Sequence, residues 1–146
     1  MATHVFKNPL VSLQVGSSSA VSISDHVTGA TLNFTPEVLD ETAMGDNTRN
    51  RIVGLNDWNA TLELHQDFAA SNIDATMWSI ITNQASSSIA LKIRQSKSAS
   101  IAATNPEYQG NVILESYNPF TGTVGELATT TVSLQGNGDL TRDTTP

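Results

Sequence analysis

Most of this chain alternates. Val11, Leu13 and Val15 are separated by Ser12 and Gln14, Val21 and Ile23 by Ser22, and Ala60, Leu62 and Leu64 by Thr61 and Glu63. In an extended chain successive side chains point to opposite faces, so each run predicts a strand with one buried and one wet face. The break at Gly16 to Ser19 joins the first two runs into a hairpin. After a turn at His26 to Gly29, Leu32 and Phe34 continue the pattern, and Pro36, which has no amide N–H to donate, limits that strand to a sheet edge. Further strands are expected at Ile89 to Ile93, about 111–117 and about 127–135.

One stretch changes period. In "SNIDATMWSIITNQ", Ile73, Met77, Ile80 and Ile81 fall at i, i+4, i+7 and i+8, the apolar stripe of a helix over about 72–84. Ser71 is the expected cap, and Asp74 favours the first turn. The fold class is therefore mainly β, with one short flanking α-helix and a long polar loop over about 40–57, "MGDNTRNRIVGLND" at its heart. Neither a linker nor a repeat divides the chain, so one domain is expected over 1–146, with flexible N-terminal residues and a loose C-terminal tail from about 137.

Composition narrows the function. Hydrophobic residues make up 38% of 146, enough for a core but a lean one. With zero cysteines, disulfides, thiolate metal sites and cysteine nucleophiles are excluded together, as suits a reducing cytoplasm. No apolar run approaches the roughly 20 residues that span a bilayer, and "MATHVFKNPLVSL" lacks the build of a secretion signal, so membrane insertion is not expected. A formal charge of −7 disfavours tight binding to nucleic acid phosphates, because that affinity rests on cation pairing and counterion release. Passage of nucleic acid past an acidic, non-adhesive wall remains compatible with it.

Chemistry-bearing constellations are sparse. His4, His26 and His65 stand alone, without a second ligand at zinc spacing, and read as surface or strand residues. "GSSSAVS" lacks the elbow of a serine nucleophile, and "GNGDL" is too short for a dinucleotide fingerprint. Asp46, Asn47 and Asn50 lack the glycine and distal glutamate of a calcium loop and read as a solvated turn. Sequons at Asn33 and Asn59 fall in predicted strands. Trp58, Phe68 and Trp78 read as core packing rather than a sugar platform, and Glu63 and Glu115 as outward strand positions rather than a hydrolytic pair. No enzyme and no cofactor is expected.

Two stretches, "TLNFTPEVLDETAMGDNTRNRIVGLNDWNATLELHQDF" and "AATNPEYQGNVILESYNPFTGTVGELATTTVSLQGNGDLTR", carry a resemblance. A polar loop with "GD" and spaced arginines, "GLNDW" opening a strand, a helix after "DFAASNIDAT", and "ESY" before a late strand resemble, in that order, the major tail tube proteins of long-tailed (siphovirus-type) bacteriophages. The likeness covers about Thr31 to Arg142; before Ala30 only the strand pattern matches.

The resemblance implies a β-sandwich or half-barrel of the tail tube type. It implies a structural virion protein that self-assembles into stacked, hexameric rings, assembled in the host cytoplasm and ending in the phage tail. Implied partners are other copies of the chain, a tape measure protein in the lumen, terminator and baseplate or distal tail proteins at the ends, and double-stranded DNA in transit without tight binding. The loop, disordered in a free subunit and ordered on stacking, would place Arg49 and Arg51 against Asp40, Glu41 and Asp46 of an adjacent copy. Glu63, His65, Asn111 and Glu115 are the lumen candidates. The alternatives are a terminator or connector that forms single rings, and a carbohydrate-binding β-sandwich adhesin or decoration module.

Overall fold

The computed structural model describes residues 5 and 7–146. His4 and the first residues of the expected flexible N-terminus lie outside the described residues. Among the described residues the strands are β1 (Leu10–Val15), β2 (Val21–Ser22), β3 (Val27–Asp40), β4 (Arg51–His65), β5 (Ile89–Arg94), β6 (Glu107–Tyr117), β7 (Thr129–Gly136) and β8 (Thr141–Asp143), with one α-helix, α1 (Ile73–Asn83), between β4 and β5 and a single 3-10 turn at Ser24–His26. All pair antiparallel in a single sheet of order β2-β1-β5-β6-β7-β4-β3, and β8 pairs with β6 beyond the end of β7. The sandwich-or-half-barrel expectation thus resolves to one sheet backed by one helix.

Alternation decides which face is dry. Val11 and Leu13, Leu62 and Leu64, Ile89 and Leu91, Val112 and Leu114, and Val132 and Leu134 are all buried on the same side. From α1, Ile73, Met77 and Ile80 close over that side, as the helical stripe predicts, while Ile81 stays partly exposed. Trp58 completes the core at 3% exposure. Its indole lies over the backbones of Gly110 and Gly136, where no side chain stands in the way, and its Nε1–H donates to the Gly138 carbonyl at 2.9 Å.

Four expectations need correction. The long loop is shorter than 40–57: β4 starts at Arg51, so the irregular part spans only 41–50 and the rest is paired strand. The tail from 137 is not loose through its length, because Thr141–Asp143 pair with Glu107–Gln109 and the Trp58 bond anchors the turn before them. Ser71 does not cap α1. It sits at φ 65°, Asn72 occupies the cap position without a side-chain cap bond, and Asp67 organises the entry instead. The Asp67 carbonyl accepts the Asp74 N–H at 3.1 Å, and its carboxylate accepts the Ala69 N–H at 2.8 Å and the Asn72 side-chain amide at 2.6 Å. Finally, Trp78 and Phe68 are not core residues: Trp78 is 65% exposed, on the face of α1 turned away from the sheet, and Phe68 stacks on Phe120 at the surface.

Candidate functional site

β7 accompanies β4 only from His65 up to Asn59. Beyond that point β3 and β4 continue as a two-stranded arm, and from Asn33 to Asp57 no residue is buried. A two-residue bulge on β4 sets Gly54 and Leu55 against Glu37, whose carboxylate accepts the Leu55 N–H at 3.3 Å. Past the bulge Val38 pairs with Val53, and Leu39 with Ile52. Because neighbours in a strand face opposite ways, one side of the arm carries the valines and the other carries Leu39 and Ile52. Phe34 and Leu55, the latter 81% exposed, extend the apolar surface toward the body, and Met44 stands at the tip.

The tip is braced by its own polar groups. The Asp40 carboxylate accepts the Thr42 N–H at 2.9 Å and Arg49 Nη1 at 3.0 Å; Thr42, through side chain and amide, holds that carboxyl below its usual range, and Arg49 adds to the effect. Asp46 accepts the Ala43 N–H at 2.8 Å and the Asn50 side-chain amide at 3.0 Å. The Asn50 N–H donates to the Thr42 hydroxyl at 2.9 Å, and the Glu41 N–H donates to the Asn50 carbonyl at 2.9 Å. Of the residues read from the sequence as loop contacts, Asp40, Arg49 and Asp46 are therefore engaged within the chain. Arg51 stands across the strand from Asp40 but forms no ion pair with it, and Glu41 is exposed.

The four lumen candidates share the wet face of the sheet. Glu63 lies opposite Thr131 and His65 opposite Thr129, Asn111 lies opposite Ala90, and Glu115 occupies a bulge between Leu114 and Ser116. All but His65 are exposed; His65 is half-buried and its Nδ1 has no partner among the described residues. The face is not uniformly acidic. At its β5–β6 end Glu107, itself buried, is held by Arg94 at 3.3 Å and approached by Lys92 at 3.9 Å.

A second bare surface lies at the opposite end of β4 from the arm. Phe68, three residues past β4, stacks on Phe120 with ring centroids 5.4 Å apart. Phe120 is 86% exposed, and Val124 and Leu127 of the same β6–β7 connection are exposed beside Glu126. The connection is tied to the end of β4 through Gln66, which donates to the Tyr117 hydroxyl and the Pro119 carbonyl, each at 2.8 Å. Both apolar surfaces escaped the sequence reading. The available signal was the adjacent pairs Val38–Leu39 and Ile52–Val53, which in a strand put an apolar side chain on each face.

This fold is shared with chains of solved virion and tail structures. A chain from the virion of a native gene transfer agent particle superposes with a TM-score of 0.71 at 14% identity, covering 97% of this chain and 99% of that one. The tail of an empty gene transfer agent particle, refined with C6 symmetry, gives 0.70 at 15% identity over 95% and 98%. The SPP1 tail tube gives 0.69 at 15% identity over 94% of this chain and 77% of that chain. No protein-family model and no curated protein matches the sequence.

Proposed function

We propose that this chain is a tail tube subunit, a structural virion protein that stacks as rings, six copies each, into the tube of a long-tailed phage. The observation that carries the reading is the arm: an apolar surface on both faces of a ribbon from Asn33 to Asp57 that its own chain leaves uncovered. Soluble monomers rarely expose contiguous apolar patches larger than a few hundred Å², so such a surface marks a place where another molecule belongs. The six-fold tail and the tube among the structural matches favour another copy of the chain.

The sheet edges support the same reading. β1 is closed off by β2 and by Ile23 and Ser24, whereas β3 offers a long edge unpaired among the described residues, normally an aggregation hazard and here a joint for a neighbouring sheet. In the tube Arg49, Arg51, Asp40, Glu41 and Asp46 lie at contacts between copies, and Glu63, His65, Asn111 and Glu115 line the lumen. There they face first a tape measure protein and then double-stranded DNA, which like charge holds off the wall. Terminator and baseplate proteins cap the ends, and assembly takes place in the host cytoplasm.

The exposed Phe68, Phe120 and Trp78 favour a second reading, a carbohydrate-binding module. Electron microscopy of the purified, concentrated protein separates the readings. Hollow cylinders support the tube, single rings that never elongate indicate a terminator or connector, and discrete particles at every concentration overturn assembly.

A further inference from the structure

We infer that the arm of one copy docks head-to-tail onto the Phe68–Phe120 surface of another, with Arg51 of the arm meeting Glu126 of the receiving copy. The inference rests on the assembly reading and assigns the arm its partner surface. β4 runs from Arg51 to His65, and the two apolar surfaces lie beyond its opposite ends, one built by the arm and one by Phe68 with the β6–β7 connection. Two unlike surfaces at opposite ends of one chain cannot satisfy each other within that chain. They meet heterologously, the arm of each copy on the far end of the next, which is the geometry that propagates an assembly rather than closing it as a dimer.

Charge fixes the pairing. On the arm, Asp40 and Asp46 are engaged by groups of their own chain, and Arg49 is paired with Asp40. Arg51, next to Ile52, is left as an exposed cation with no ion pair among the described residues. At the other end Glu126 is an exposed anion with no ion pair among the described residues, set between Val124 and Leu127. Each charge thus sits in the apolar surface that needs covering, and the two are opposite in sign. A charge pair of this kind sets register while the apolar side chains around it supply the burial.

Because the chain has no cysteine, engineered thiols report the contact without background. Leu55→Cys and Val124→Cys proteins, each checked for its native circular dichroism spectrum, are oxidised alone and as an equimolar mixture. Head-to-tail docking predicts a covalent heterodimer in the mixture and little homodimer from either protein alone. Adding Arg51→Glu to the first protein lowers the yield several-fold, and adding Glu126→Arg to the second restores it. Homodimer from Leu55→Cys alone would mean arm-to-arm packing, and no cross-link in the mixture would exclude the docking; either overturns the inference. Cylinders from the unmodified protein without the cross-link leave the tube reading standing and remove this contact. The cross-link without cylinders does the reverse.

Discussion

The indole of Trp58 fills the space in which a side chain on Gly136 would stand. A methyl group there would come within 2.5 Å of the indole Nε1 and Cδ2, and one on Gly110 within 2.6 Å of Cζ2. Gly136→Ala is therefore expected to destabilise the fold by about 1–3 kcal/mol through overpacking. The control is Gly45→Ala, where nothing lies within 4 Å and the change should stay within about 0.5 kcal/mol. Urea denaturation followed by tryptophan fluorescence measures both.

Glu107 is the buried carboxylate whose partners matter most, with Arg94 at 3.3 Å. Removing Arg94 leaves the buried carboxylate with only the half-exposed Lys92 at 3.9 Å, so Arg94→Met should cost up to about 3 kcal/mol. The double variant Arg94→Met with Glu107→Leu should recover most of the loss, because it strands nothing. A double-mutant cycle by chemical denaturation tests the pair, and equal losses in the single and double variants would contradict it.

On the arm the expectation inverts. Val53→Ser with Leu55→Ser removes apolar surface that the isolated chain never buries, so its unfolding free energy should move by no more than about 0.5 kcal/mol per site. Assembly should fall sharply. Sedimentation velocity together with denaturation separates the two effects, and a large loss of monomer stability would mean that the arm packs on its own body.

Acid should weaken the fold through particular aspartates. The Ala69 N–H, then the bond from His26 at 3.0 Å, hold the Asp67 carboxyl below its usual range; Thr145 does the same for Asp143. A carboxyl depressed in the folded chain adds stability that is present above the unfolded value, near 3.9, and is lost as pH falls through the folded one. Urea midpoints should therefore fall as pH drops from about 4 toward 3. Asp67→Asn should lose stability at pH 7 and show a smaller drop on acidification.

Much of the sheet was legible because its core is a periodic signal. Leu62, Leu64, Leu91 and Val112 are buried where alternation puts them, and Pro36 lies on the edge strand to which its missing N–H confines it. The helix over Ile73–Asn83 follows from its stripe. Features set by distant residues were not legible. Ser71 looked like a cap because serine caps helices, but Asp67, four residues earlier, had already taken that work. Trp78 looked like core because tryptophan usually is, yet it occupies the outward side of α1. The arm was hidden by its polar tip, which made paired strand from Arg51 onward resemble loop. As for the candidate site, the sequence supplied the charged residues at the tip but not the apolar flanks, since burial on a partner leaves the same residue types as burial in a core.

Hydrogen–deuterium exchange over 33–57, compared between dilute and concentrated protein, tests most directly whether another copy covers the arm. Amides of the arm and of the free β3 edge should gain protection as concentration rises, while those of the β5–β6 centre stay unchanged. Identical exchange across the arm at every concentration at which the protein self-associates would contradict the account.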